Sequence, residues 1–214
     1  MALELLREFR CRGLVPSIVT YVAAMNACSK GHRWQLSLEL FKESRAAGLE
    51  PNVVAYGVVA KSCEKGQHWQ GALGLLREMR LSRIASNLIT YNAVISACEK
   101  AQHWEVALEL LSEMRRNRIL PDVVTYGAAI SACDRGQQWR LTLSLLAEMR
   151  QKDVATNSIT CNAAIAACQK GQQWEIALGL MVEMRRRDVA PSVITYDAAI
   201  GACERGHQRT CALR

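Results

Sequence analysis

The sequence is poor in residues that interrupt helices and in the large aromatics that fill β-sandwich cores. Among 214 residues there are four Pro and two Phe, whereas half of all residues are apolar. These proportions exclude a collagen-like or low-complexity chain and favour an aliphatic helical core. No apolar run approaches the roughly 20 residues that span a bilayer. We therefore expect neither a membrane-spanning helix nor a membrane partner.

Sequence motifs for catalysis and metal binding are also missing. The chain has no Cys-x-x-Cys pair, no His-Glu-x-x-His, no Gly-rich phosphate loop and no Ser nucleophile elbow. It has four histidines, and they do not keep one fixed position within the sequence repeats that are described below: His32, His68, His103 and His207. We therefore predict that the chain is not an enzyme and holds no cofactor or metal.

A period of 35 residues dominates the chain. Five tryptophans and six of the nine cysteines recur at this interval: Trp34, Trp69, Trp104, Trp139 and Trp174, with Cys28, Cys63, Cys98, Cys133, Cys168 and Cys203. The period defines full repeats at 18–52, 53–87, 88–122, 123–157 and 158–192, with partial repeats at 1–17 and 193–214. Because the chain begins and ends within a repeat, we predict that it is a fragment of a longer array.

The regular spacing of the cysteines argues against disulfides and zinc sites. Equivalent helices in a stacked array lie about 8–10 Å apart. A disulfide needs Cα atoms within about 7 Å of each other, and zinc thiolates lie about 2.3 Å from the metal. We therefore predict buried, reduced thiols that pack as small apolar residues, as in a reducing compartment.

Each repeat has the pattern of two antiparallel helices. In "LITYNAVISACEK" small and aliphatic residues fall on one side, and in "WEVALELLSEMRR" apolar residues recur at helical spacing, with Glu early and Arg late. A Gly-Gln or Ala-Gln step separates most pairs, and a Pro follows the second helix in four copies. One pair cannot bury both faces alone. We therefore predict an all-α fold, an α-solenoid of eleven or twelve stacked helices without strands.

These features resemble the pentatricopeptide repeat (PPR) family. The resemblance rests on the 35-residue period, the opening V-[VI]-T-Y-[N/G/D], "ALELL.EM" in the second helix and the final P-[DNS]. It covers nearly all of residues 2–208. The Trp that begins each second helix departs from the plant consensus, and Cys161 and Ala55 replace the aromatic residue and the Thr of the opening motif. Tetratricopeptide repeats are less similar, because they run at 34 residues and place their Trp differently.

The resemblance implies a protein that binds single-stranded RNA and recognises about one base per repeat. It also implies a role in organellar RNA metabolism, in a mitochondrion or plastid, although no targeting peptide is visible. In this family the fifth and last residues of each repeat contact the base edge. The corresponding residues are Val22 with Asn52, Gly57 with Asn87, Asn92 with Asp122, Gly127 with Asn157, Asn162 with Ser192, and Asp197 without a second member. The family pattern implies U for the third pair and a pyrimidine for the fifth, whereas Gly and Val discriminate poorly.

The second residue of each repeat is a β-branched aliphatic residue. The resemblance implies that it lies between successive bases as an apolar wedge, whereas the alternative is a packing residue at the start of a helix. The six residues are Val19, Val54, Ile89, Val124, Ile159 and Ile194.

Six basic residues recur at the ends of the first helices: Lys30, Lys65, Lys100, Arg135, Lys170 and Arg205. Without these six charges the net charge of +7 would be +1. A row of cations suits a phosphate backbone, although a basic residue also favours a helix C-terminus. The alternative function is a protein-interaction scaffold that binds a peptide in a concave groove. Such a scaffold needs neither the cation row nor the variable residues beside it. Under the RNA-binding function, we also expect protein partners that supply catalytic activity.

Overall fold

The computed structural model describes residues 14–205 together with residues 4, 6, 8, 11 and 12. Across this part of the chain there are eleven helices and no strand, which confirms the predicted all-α class. Most of the predicted partial repeat at 1–17 falls outside the described residues. The last nine residues, which include His207, also fall outside them.

The helices belong to two compact units, Met1–Ala101 and Gln102–Arg214. The first unit contains α1 (Ile18–Lys30), α2 (Trp34–Ala46), α3 (Val53–Lys65), α4 (Trp69–Leu81) and α5 (Leu88–Lys100). The second contains α6 (Trp104–Arg116), α7 (Val123–Arg135), α8 (Trp139–Gln151), α9 (Ser158–Lys170), α10 (Trp174–Arg186) and α11 (Val193–Arg205). The helices that open a repeat are called first helices below, and those that begin with Trp are called second helices.

A tight left-handed turn ends the first helices. One residue in each turn has a φ between 54° and 63°: His32, Gln67, Gln102, Gln137 and Gln172. In four of these turns the following residue donates its N–H to the carbonyl of the periodic cysteine, as from Gln138 to Cys133 at 2.8 Å. Such a bond closes the end of a helix and satisfies one of its last carbonyl groups. The chain therefore reverses within three residues, and the Trp that follows begins the second helix.

Within each unit the first helices pack against one another in chain order. In the first unit, α2 and α4 each pack against the first helices that precede and follow them. In the second unit, α8 and α10 do the same, and α6 packs against α7. Each unit is therefore a stack of helix pairs in which every layer depends on its neighbours, the arrangement of an α-solenoid.

Small residues fill the core on the first helices, and long aliphatic residues fill it on the second. Ala129, Ile130 and Cys133 of α7 are fully buried, as are Met114 and Met149 of the flanking second helices. The flexible Met side chains fill the irregular space between repeats.

The cysteines of the described residues are free thiols, and those of the first helices are buried. Burial raises the pKa of Cys63 and Cys98 to about 12, and that of Cys133 and Cys168 to about 11. The reactive thiolate form is therefore disfavoured. Among the described residues, no group of three or more His, Cys, Asp or Glu could hold a metal ion, and no helix is long and apolar enough to cross a membrane.

Tryptophan rings lie against glycines of the next repeat. A Cβ atom added to Gly66 would lie 2.3 Å from Cδ1 of Trp34, and one added to Gly136 would lie 2.3 Å from Cδ1 of Trp104. Trp139 and Gly171 are related in the same way. Because real Cβ atoms do not approach other atoms so closely, glycine leaves the space that the indole ring occupies. These tryptophans therefore pack between consecutive repeats.

Candidate nucleic-acid interface

The second residue of every first helix is exposed, although it is a large aliphatic residue. The exposed fractions lie between 52% and 71% for Val19, Val54, Ile89, Val124, Ile159 and Ile194. A packing residue at a helix start would be covered, so the packing alternative does not describe these side chains. Single exposed aliphatic residues are common on protein surfaces. Their recurrence at the same position of every first helix is uncommon.

The fifth residue lies three positions after the second, so the two share one face of the helix. Asn92 and Asn162 are half-buried, as are Val22 and Gly127, whereas Gly57 is buried and Asp197 is exposed. In this register an exposed aliphatic side chain therefore lies beside a residue that is polar in some repeats and apolar in others.

In the first four full repeats the last residue caps the next first helix, a role that our sequence analysis missed. Side-chain oxygens of Asn52, Asn87, Asp122 and Asn157 accept hydrogen bonds from the backbone N–H three residues later, at 2.8–3.0 Å. Asn, Asp and Ser are the preferred residues at this position, because their oxygens satisfy a backbone donor that the helix leaves without a partner. The capping signal is visible in the sequence as Asn, Asp or Ser followed three residues later by Thr.

Lys65, Lys100 and Lys170 each contact a group of the preceding repeat. Lys65 Nζ donates to the carbonyl oxygen of Ser29 at 2.9 Å, and Lys100 Nζ lies 2.9 Å from Oε1 of Glu64. Lys170 Nζ lies 2.8 Å from Oδ1 of Asp134. Carboxylates therefore offset the charges of Lys100 and Lys170, whereas the bond of Lys65 to a neutral carbonyl leaves its full positive charge.

A hydrogen-bonded group links consecutive repeats beside the capping residues. In the first unit Tyr56 donates to Glu78 at 2.9 Å, and Arg45 pairs with the same carboxylate. Tyr126, Glu148 and Arg115 repeat this group in the second unit. Burial, together with the neighbouring carboxylate, raises the pKa of both tyrosines. A cleft of about 460 Å³ adjoins Tyr56 and one of about 370 Å³ adjoins Tyr126, and each includes the Pro before the capping residue.

Cys161 occupies the position of these tyrosines in the fifth repeat. Arg150 and Glu183 still form an ion pair there, at 2.6 Å. The Arg150 Nε group, however, is buried and has no hydrogen-bond acceptor among the described residues. Cys161 therefore fills the position as a small buried residue without completing the polar group found around Tyr56 and Tyr126.

The regular helix pairs, their stacking and the recurrent surface define a helical-repeat protein. The sequence profile described as "Pentatricopeptide repeat domain" matches residues 4–65 and 144–205, and that described as "PPR repeat family" matches residues 86–135. The first profile alone covers more than half of the chain. The protein belongs to the pentatricopeptide repeat family.

Solved structures of the family have the same fold. The chain is 28% identical to the pentatricopeptide repeat protein PPR10 from maize, with a TM-score of 0.70 over 99% of this chain and 30% of PPR10. For PPR10 in complex with an 18-nt psaJ RNA element the identity is 25%, the TM-score 0.69, and the coverage 94% of this chain and 28% of that one. The chain thus spans about a third of PPR10.

A more distant structure supports the fold alone. The PPR domain of Arabidopsis thaliana protein-only RNase P 1, in complex with tRNA, is 17% identical, with a TM-score of 0.75 over 84% of this chain and 95% of that domain. No curated protein matches the sequence.

Proposed function

We propose that this chain binds single-stranded RNA at the starts of the first helices of each unit, with about one base per repeat. The observation that carries the proposal is the series of exposed β-branched side chains at the second position of each first helix. Apolar side chains presented at the same position of successive repeats can insert between the faces of successive bases, which are also apolar. The RNA complex of PPR10, a similar protein of the same family, supports this assignment.

Base preference would come from the fifth and last residues of each repeat. Asn162 and Asp197 offer polar groups at the fifth position, whereas Gly57, Gly127 and Val22 offer none. We therefore expect strong discrimination in few repeats and weak discrimination in the others. By the family pattern, Asn162 with Ser192 selects a pyrimidine.

The basic residues at the ends of the first helices would contact the phosphate backbone. Among the three with described partners, Lys65 is the most suitable, because its charge is not offset by a carboxylate. Lys100 and Lys170 contribute less, since each already neutralises an acidic side chain of the preceding repeat. Their contribution to the salt dependence of binding is correspondingly smaller.

We further propose that the chain acts as a binding protein in a mitochondrion or plastid, following the family resemblance. In this view it does not itself catalyse a reaction, and any change in the bound RNA is carried out by protein partners.

The second residues of the three first helices in the second unit are called wedge residues here. Replacing them is expected to weaken RNA binding without unfolding the chain. The variant carries Val124→Thr, Ile159→Thr and Ile194→Thr, which keep β-branched side chains but remove apolar surface. We expect the affinity for sequences selected from a random single-stranded RNA pool to fall about tenfold, because less apolar surface meets the bases at three positions. Fluorescence anisotropy measures the affinity, and circular dichroism measures the melting temperature.

The matched control replaces three exposed aliphatic residues of the second helices, Leu141, Ile176 and Val182, by Thr. It is expected to bind RNA as the unmodified chain does. Equal affinities for both variants would contradict the role of the wedge residues. If the unmodified chain binds no single-stranded RNA but binds peptides through the same residues, the interaction-scaffold function takes the place of this proposal.

Removing the Lys65 side chain tests the phosphate contact separately. For Lys65→Ala we expect the slope of log K against log salt to become shallower by about 0.7, the value for one phosphate contact with single-stranded nucleic acid. Base preference should remain unchanged, because phosphates carry no sequence information. Lys42→Ala, which removes the same charge from an exposed position of α2, should leave the slope unaltered. Identical slopes for the two variants would contradict a phosphate contact by Lys65.

A further inference from the structure

Thr195, the third residue of α11, connects the two base-recognition residues of the fifth repeat. Its side chain is fully buried. Thr195 Oγ1 donates to Asn162 Oδ1 at 2.6 Å and accepts a hydrogen bond from the backbone N–H of Ser192 at 2.9 Å. The same Oγ1 lies 3.2 Å from the Ser192 Oγ. One buried hydroxyl thus contacts the fifth residue of the repeat and its last residue.

The direction of these bonds follows from the chemistry of the hydroxyl group. A threonine hydroxyl has one proton, and here that proton goes to Asn162. The Ser192 hydroxyl must then be the donor in its bond to Thr195. The carbonyl oxygen of Asn162 therefore already accepts one hydrogen bond, whereas its amide NH₂ has no hydrogen-bond partner within residues 14–205. Asn162 is thus left to present donors, and Ser192 to present acceptor lone pairs.

The fourth repeat differs from the fifth at its fifth residue and in the bond that its threonine makes. The fourth repeat has Gly127 at this position, and a Cβ atom there would lie 3.8 Å from Cγ2 of Thr160. Thr160 is therefore the counterpart of Thr195, but its neighbour has no acceptor. Its hydroxyl donates instead to the carbonyl of Asn157, at 3.0 Å. The Thr195 hydroxyl thus donates to a fifth residue that can accept, whereas the Thr160 hydroxyl, which faces a glycine, donates within its own helix start.

The first repeat has neither a polar fifth residue nor a threonine hydroxyl beside it. Its fifth residue is Val22, and Ala55 occupies the position of the threonine in the following helix. Where the fifth residue has no polar group, the buried hydroxyl can thus be absent altogether.

We propose that Thr195 is a positioning residue for base recognition by the fifth repeat. It fixes the amide of Asn162 in one of its two orientations and fixes the hydroxyl direction of Ser192, so that the base meets donors from Asn162 and an acceptor from Ser192. Without the hydroxyl, Asn162 can present either its oxygen or its nitrogen, and the two orientations suit different bases. The inference rests on the proposed RNA-binding function, because it deepens the recognition step of that function.

The test compares Thr195→Val, which removes the hydroxyl, with Thr195→Ser, which retains it. The matched control is Thr160→Val, which removes the equivalent hydroxyl beside a glycine. Selection from a random single-stranded RNA pool gives the preference at each nucleotide. We expect a preference of about tenfold at the nucleotide facing repeat five to fall to about twofold in Thr195→Val. Thr195→Ser and Thr160→Val are expected to keep the preference at that nucleotide.

A second measurement follows the free protein. The side-chain amide NMR resonances of Asn162 report its orientation, and we expect them to shift in Thr195→Val but not in Thr195→Ser or Thr160→Val. Unchanged resonances, or shifted resonances with an unchanged base preference, would overturn the inference while leaving RNA binding intact. If the unmodified chain selects no RNA, the proposed function fails, and this inference fails with it whatever the resonances show.

Discussion

Replacing Gly136 by Leu is expected to lower the free energy of unfolding by about 3 kcal/mol, at the upper end of the usual range for overpacking. The new side chain would need the space of the Trp104 ring, 2.3 Å from the position of its Cβ atom. The backbone at Gly136 has a φ of −75°, which any residue adopts, so the destabilisation comes from the displaced indole ring. Thermal unfolding followed by circular dichroism should show a melting temperature lower by about 6–12 °C.

Gly179→Leu provides the control in the same unit. Gly179 lies inside α10, and nothing lies within 4 Å of the position where its Cβ atom would be. Because Leu favours a helix interior by nearly 1 kcal/mol over Gly, this variant should be as stable as the unmodified chain or more stable. The chain has Ala101 at the position equivalent to Gly136, so Gly136→Ala should cost less than Gly136→Leu. A stable Gly136→Leu variant would show that the Trp ring moves without penalty and does not hold neighbouring repeats together.

Lys100→Met is expected to destabilise the chain by about 2 kcal/mol at neutral pH, because it leaves a buried carboxylate with one of its two cations. Glu64 is 8% exposed, and its Oε1 lies 2.9 Å from Lys100 Nζ. Its other oxygen lies 2.7 Å from Lys61 Nζ. Burial alone would raise the pKa of Glu64, but the hydrogen bonds and charges of Lys61 and Lys100 lower it below its ordinary value of 4.5.

The sign of the pH dependence follows from this lowered pKa. The pair stabilises the folded state above the pKa that Glu64 has in the unfolded chain, and the stabilisation is lost as the pH falls through the lower, folded value. The difference between Lys100→Met and the unmodified chain should therefore be largest at neutral pH and should narrow in acid. Lys170→Met is the control, because Asp134 is twice as exposed as Glu64, with 20% of its side chain accessible against 10%. We expect about half the effect there, and denaturant titrations across pH measure both variants. Equal, pH-independent changes in stability would contradict this account.

The helix pairs could be predicted from the sequence because each element carries its own local signal. Trp begins every second helix, and the six predicted repeats that open with a first helix start at the first residue of that helix, from Ile18 to Val193. These features depend on periodicity and on residues that favour or end helices, which act within a few positions. The sequence of a single 35-residue repeat is therefore enough to locate the starts and ends of its two helices.

Contacts between repeats could not be predicted in this way. The pairs of Lys65 with Ser29, Lys100 with Glu64 and Lys170 with Asp134 each join residues 36 apart. The one-residue offset from the period is set by how one repeat packs on the next, which no single repeat encodes. For the same reason the sequence left open whether Val19 and its equivalents pack or remain exposed. It also gave no sign that Thr195 would reach Asn162.

The double use of the last residue of a repeat limits how the protein can change its target. Under the proposed function this residue helps to choose a base, yet it also caps a helix, and capping favours Asn, Asp, Ser and Thr. A substitution outside this set, other than to Gly, would weaken the next helix by about 1 kcal/mol before any effect on recognition. The fifth residue has no such duty, and the chain uses Val, Gly, Asn and Asp there. New specificities should therefore arise mainly by changes at the fifth residue, drawn from a broad set of amino acids. The last residue can vary only among the few residues that cap a helix well.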